Sequence, residues 1–218
     1  VASHLILSHL IKPIELVRKL KVIVAYRKAQ ELLRLSSQTY SPYTEQLKVA
    51  SIISKESELY VKAVVQEWFE KRPLPFIRIL HRRELESAFF SLNYNGLKLG
   101  VLSDYPAHEK IKALKIDKYV NVIVSSSDKE LLGFKPKTNG FRLAAQKMEL
   151  DPKHILYIGD RPEVDGVGAT TAGMQAVILR NGIKKTKNSQ YPTIRSLNEL
   201  LKILPVKNQP ISTYDQKL

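Results

Sequence analysis

The chain has 218 residues, 44% of them hydrophobic, enough for one packed core domain plus a smaller insert and too apolar for a disordered segment. It contains no cysteine, which excludes disulfides and thiolate zinc sites, and no run approaches the roughly 20 apolar residues that cross a bilayer. Its 35 Lys and Arg against 21 Asp and Glu give a formal charge of +14, which favours anionic partners, yet the densest basic cluster, Lys184, Lys185 and Lys187, has no interleaved aromatics and argues for solvated surface over a nucleic-acid footprint.

The opening Leu5-Ile6-Leu7 stretch is broken by Ser3, His4, Ser8 and His9 and lacks a signal-peptide layout, so a cytoplasmic protein is expected. From Pro13 to about Asn93 the pattern is helical. Leu16, Leu20, Ile23 and Val24 recur at threes and fours, as do Val61, Val64, Val65 and Trp68. Ser41-Pro42 separates two of these helices, and Arg72-Pro73-Leu74-Pro75 stops the one that carries Trp68. From Gly96 the texture changes to short apolar runs ending in small or polar residues. These are Leu99 to Leu102 before Ser103, Val122 to Val124 before Ser125, Ile155 to Ile158 before Gly159, and Ala176 to Leu179 before Arg180. Helical stretches lie between them, at Ala107 to Leu114, Asn139 to Met148 and Val164 to Ala172. Short buried strands alternating with helices predict a parallel sheet covered on both faces. The expected organisation is a mainly helical region over 1–92, an α/β core over 93–205 and a polar tail over 206–218.

In an open parallel sheet, ligands bind beyond the carboxyl ends of the strands. Those ends are Ser103-Asp104, Ser125-Ser126-Ser127 and Gly159-Asp160, and Lys135 lies in the loop Gly133-Phe134-Lys135-Pro136, with Pro136 suited to the first position of the next helix. A hydroxyl, an ammonium and carboxylates at one rim suit a phosphoryl group and a hard cation such as magnesium. Each residue also has a plainer use. Ser103 and Asp165 could cap helices, Lys135 could be a solvated loop lysine, and Asp104 could bond locally in a turn.

At these residues the chain resembles the haloacid dehalogenase superfamily, over roughly residues 96 to 200. The match lies in Val101-Leu102-Ser103, Phe134-Lys135-Pro136 and the run from Leu156-Tyr157-Ile158-Gly159-Asp160 to Asp165, followed by Gly166 to Met174. The resemblance implies a Rossmann-like α/β core with an α-helical cap that closes over the site. It also implies a magnesium-dependent phosphohydrolase of small phosphomonoesters acting through an aspartyl-phosphate. Ser103 and Lys135 would then bind phosphate, Asp160 would bind Mg2+, and Asp165 would bind it through water or orient Lys135. Tyr26 to Gln30 and their neighbours look like the cap of one branch, with Arg27 able to reach a substrate anion.

The family's first motif, Asp-x-Asp with the nucleophile as its first Asp, is absent: no two aspartates stand two apart. No residue of the chain is therefore assigned as nucleophile. In the family that motif ends a central strand, so the strands ending at Ser103 and Asp160 would lose a shared neighbour. The chain starts at Val1, and the expectation is loss of about 10 to 20 N-terminal residues and no efficient turnover by the chain as written. The alternative is a non-catalytic phosphate- and metal-binding or regulatory relative in which another segment, such as His4 to Leu10, fills the gap. Nothing in the sequence identifies the physiological substrate or the oligomeric state.

Overall fold

The computed structural model describes residues 13–36, 40–80, 84–180 and 190–204. His4 to Leu10, the Lys184 to Lys187 cluster and the tail over 206–218 lie outside the described residues.

The helical half begins with α1 (Pro13–Leu35), followed by α2 (Pro42–Ser54) and α3 (Glu58–Val65). Pro42 occupies the first turn of α2, where its missing N–H removes no helical bond, and Ser57 caps α3 by accepting from the Tyr60 amide. One face of each helix is apolar. Val22, Ala25, Tyr26 and Ala29 of α1 pack on Leu47 and Ala50 of α2, on Val61, Val64 and Val65 of α3, and on Trp68. Fully burying a side chain of the size of Val or Leu contributes about 1.5 to 3 kcal/mol, so this cluster is a main source of the cap's stability. Trp68 sits in a π-helical turn (Gln66–Lys71) that continues α3, and the chain then restarts as α4 (Pro73–Leu80). The prolines at 73 and 75 thus open a new helix as well as ending the old one.

The α/β half carries α5 (Leu85–Tyr94), β1 (Gly100–Ser103), α6 (His108–Ala113), β2 (Val122–Ser125), α7 (Thr138–Met148), β3 (Leu156–Gly159), α8 (Val167–Thr171), β4 (Gln175–Leu179), β5 (Thr193–Ile194) and α9 (Leu197–Ile203). All pairing is parallel, as the buried apolar runs require. The strands form two ladders, β1-β2 and β3-β4-β5, and no backbone ladder joins β1 to β3 among the described residues. The ladders nevertheless form one layer. Leu99 beside β1 shares an apolar cluster with Leu156 and Ile158 of β3, together with Ala88 and Leu92 of α5 and Leu197 and Leu200 of α9. On the other face Leu102 of β1 and Tyr157 of β3 pack on Phe141 and Ala145 of α7 and on Ala169 of α8.

The architecture is a Rossmann-like parallel sheet with helices on both faces and an α-helical cap. Backbone bonds tie the cap to the core where the chain enters α2: Gly133 N–H donates to Tyr40 O at 2.9 Å, and Tyr43 N–H donates to Ser126 O at 3.3 Å. Pro136 does not open α7. The helix starts at Thr138 after Lys137, and Pro136 lies in the preceding turn, closed by Lys137 N–H donating to Phe134 O at 3.1 Å.

Candidate active site

A cleft of about 800 Å³ opens between α1 and the carboxyl ends of β1 and β3. Its core wall includes Ser103, Asp104, Lys135, Asp160 and Asp165; its cap wall includes Arg27, Gln30, Glu31 and Arg34. The four residues singled out from the strand ends and the lysine loop therefore share one cleft. Ser125, Ser126 and Ser127 are not among its lining residues. They close a local turn in which Ser125 N–H donates to Asp128 Oδ2 at 2.8 Å.

Lys135 and Asp165 form the centre. Lys135 Nζ donates to Asp165 Oδ1 at 2.7 Å and to Tyr157 Oη at 3.1 Å, with side chains only 15% and 3% exposed for the ion pair. Tyr157 Oη lies 3.3 Å from the same Asp165 Oδ1, to which it donates. The other carboxylate oxygen accepts from the Asp160 amide at 3.1 Å and the Arg161 amide at 3.0 Å. Burial works against the Lys135 charge, but Tyr157, Asp104 and Asp165 outweigh it and raise its pKa. Burial also opposes the Asp165 charge, but Lys135 and the two amides hold its pKa below the usual carboxylate range. Both groups are charged at neutral pH. Burial pushes the Tyr157 phenol up to about 12, so it stays protonated and can donate.

Local backbone explains how Asp165 reaches this place. It lies in a π-helical turn (Pro162–Gly166) ahead of α8, so it does not serve as that helix's N-cap; π-turns of this kind recur at functional sites. A Cβ on Gly159 would lie 2.3 Å from Asp165 Cβ, so only glycine lets the end of β3 approach that closely. Ser103 Oγ accepts from the Tyr105 amide at 3.1 Å, which leaves its hydroxyl hydrogen free to donate into the cleft. Lys135, with a side chain only 15% exposed, is not a solvated loop residue.

Asp104 does not form a local turn. It is 6% exposed and ties cap to core: Oδ2 accepts from Arg34 Nη2 at 2.7 Å, and Oδ1 accepts from the Lys135 amide at 3.1 Å. Sequence reasoning missed Gln30, Arg34, Tyr105 and Tyr157. One signal could have found the first two. Arg27, Gln30, Glu31 and Arg34 stand at i, i+3, i+4 and i+7, a polar stripe beside the apolar stripe of the same helix.

Residues 134–200 match the HAD-hydrolase-like family. A glyceraldehyde 3-phosphate phosphatase of Methanocaldococcus jannaschii is 34% identical over 119 residues, 52% of this chain and 50% of that protein. The protein of the same name from Methanopyrus kandleri is 28% identical over 160 residues, 72% of this chain and 66% of its own length. The chain thus spans about half the length of the first of these relatives. Among solved structures, a HAD phosphatase from Thermococcus onnurineus aligns with a TM-score of 0.55 at 21% identity, covering 87% of this chain and 93% of that one. The family match falls on the segment that carries Lys135, Asp160 and Asp165. Residues 134–200 carry a HAD-hydrolase-like segment.

Within this HAD-like site, a magnesium ion has one clear candidate ligand. Asp160 is exposed on the cleft wall, whereas both Asp165 oxygens already accept hydrogen bonds. Among the described residues no three His, Cys, Asp or Glu side chains converge as a cage. Magnesium keeps several waters and takes one or two carboxylates together with substrate oxygens, so Asp160 fits that habit.

Proposed function

We propose that this chain carries the phosphoryl-recognition and metal-binding half of a magnesium-dependent phosphohydrolase of small phosphomonoesters. The observation that carries the reading is the Lys135–Asp165–Tyr157 triangle at the floor of a polar cleft. Asp165 and Tyr157 hold two of the three ammonium protons of Lys135, and the third remains for a phosphoryl oxygen. Ser103 would donate to a second phosphoryl oxygen. Asp160 would hold magnesium, with Asp165 orienting Lys135. The bound ion would offset the charge that the phosphoryl group carries through the transition state. The names of the curated relatives support phosphate-ester hydrolysis as the reaction class.

An aspartyl-phosphate mechanism needs an attacking carboxylate, and the described residues of the cleft offer none that is free for it. Asp104 is paired with Arg34, Asp165 is saturated, and Glu31 accepts from Arg34 Nη1 at 2.6 Å. Asp160 is assigned to the metal. Turnover by this chain is therefore expected to stay at background while phosphate binding is intact.

The test is calorimetric titration of the chain with inorganic phosphate, with and without magnesium, beside an assay of phosphate release. Lys135→Ala should weaken phosphate binding by at least about tenfold, the worth of one charged hydrogen bond. Asp160→Asn should remove the magnesium-dependent part of the binding. Phosphate affinity indifferent to both substitutions would sink the site assignment. If the complete natural protein also binds phosphate without releasing it from esters, the non-catalytic binding reading takes over.

A further inference from the structure

We infer that Asp104 is a positioning residue for phosphate recognition: it sets the spacing between Ser103 and Lys135, and Arg34 of the cap offsets its charge. The inference rests on the phosphoryl assignment above and adds what holds the two phosphate-binding groups in register. Ser103 ends β1, whereas Lys135 lies in the loop before α7. Donors from separate segments that must meet one phosphoryl group need a direct tie, because misplacement by about an ångström weakens both bonds.

Asp104 is that tie. It follows Ser103 in the chain, and its Oδ1 accepts from the Lys135 amide at 3.1 Å. That amide lies outside any strand or helix, so no ladder or helical bond holds it and a side-chain acceptor takes that place. Lys135 is thereby held at both ends, its main chain by Asp104 and its ammonium by Asp165 and Tyr157. On the strand side, Ser103 Oγ accepts from the Tyr105 amide, so the turn that aims the hydroxyl also aims the carboxylate.

The division of the carboxylate favours this role over a plain latch. A carboxylate that only pinned the cap could give both oxygens to the fork of an arginine, the stronger arrangement. Asp104 gives Arg34 one oxygen, Oδ2 at 2.7 Å, and the Lys135 amide the other. Arg34 sits in the last turn of α1, and the paired side chains are 9% and 6% exposed. An uncompensated carboxylate beside Ser103 would repel a phosphoryl group, and the guanidinium removes that repulsion. Two residues before Lys135, Gly133 N–H donates to Tyr40 O, so the same loop is fastened to the cap a second time. The remaining limb, Glu31 Oε1 at 3.7 Å from Arg161 Nη1, is exposed at both ends and contributes little.

The experiment compares two double variants of this chain, Arg34→Met/Asp104→Asn and Arg34→Met/Asp104→Leu. Both lack the ion pair and its charges; they differ in whether position 104 offers the Lys135 amide an acceptor. Calorimetric titration with inorganic phosphate should give the Leu variant roughly fivefold weaker binding than the Asn variant, as one lost neutral hydrogen bond predicts. Amide hydrogen exchange by NMR adds a local readout that a general loss of stability does not reproduce. The Lys135 amide should be protected in wild type and in the Asn variant and exchange faster in the Leu variant, with the Gly133 amide unchanged. Equal phosphate affinity in the two variants overturns the positioning role. So does a Lys135 amide that exchanges at the open-chain rate in wild type, a result that needs no variant to fold. Arg34→Met alone should bind phosphate more weakly than Arg34→Met/Asp104→Asn, by a margin that shrinks as salt is raised. No margin at low salt overturns the charge-offsetting role of Arg34. If wild type binds no phosphate while its Lys135 amide is protected, the phosphoryl assignment has failed and the tie is structural only.

Discussion

Asp165 uses all of its accessible hydrogen-bonding capacity within the protein, accepting from Lys135, Tyr157 and two backbone amides. A carboxylate so held must give up that stabilisation when it is protonated. Its folded pKa lies below the ordinary 3.8, so its contribution is complete above that value and is lost as pH falls through the depressed one. Lys135 has the opposite sign. Its folded pKa is raised above 10.5, so its contribution is complete below that value and is lost as pH climbs through the raised one. The pair therefore holds constant strength across the neutral range. Thermal unfolding of wild type and of Asp165→Asn, followed from about pH 3 to about pH 9, should show a constant gap in Tm above about pH 5 that narrows in acid. A gap that stays the same down to pH 3 would mean that folding does not lower the Asp165 pKa.

At the scale of elements, α1 does two jobs with one helix. Its apolar stripe of Val22, Ala25, Tyr26, Ala29 and Leu33 is buried in the cap, while the stripe of Arg27, Gln30, Glu31 and Arg34 faces the cleft. The buried Arg34–Asp104 pair pins that second stripe to the end of β1. Removing one member of such a pair leaves the other charge buried and uncompensated. Arg34→Met should thus cost about 3 kcal/mol in urea unfolding, and adding Asp104→Leu should recover most of it. If the double variant is as unstable as the single one, the pair is not what holds cap on core. The π-turn over Pro162–Gly166 is the other element with a visible consequence, since it puts Asp165 beside Gly159 rather than at the N-cap of α8.

Across the whole molecule, the formal charge of +14 means that like charges repel one another in the compact state. Screening should relieve this, so Tm should rise by a few degrees when salt is raised from about 10 to about 150 mM. An unchanged or falling Tm would show that local pairs such as Arg18–Glu56, at 2.7 Å, already balance the surface. Much of the architecture was legible along the chain, because local rules govern it. Short apolar runs such as Val122 to Val124 and Ala176 to Leu179, bounded by small or polar residues, read as strands, and the periodicity of Val61, Val64, Val65 and Trp68 reads as a helix face. The two-residue strand Thr193–Ile194 escaped notice because it is too short to show a period. Strand ends and the lysine loop also identified Ser103, Lys135 and Asp160 as neighbours, since parallel topology brings such ends to one rim. Tertiary structure decided what no local pattern encodes. It put the cap's Arg34 onto Asp104, 70 residues away in sequence, turned Tyr157 of a core strand toward Lys135, and bonded the Tyr105 hydroxyl to Gln30 of the cap. The sequence by itself determined the elements and the order of the rim, because backbone propensity and burial act over a few residues. Which polar groups are satisfied, and which remain to meet a ligand, depends on contacts between distant segments, and only the folded chain sets those.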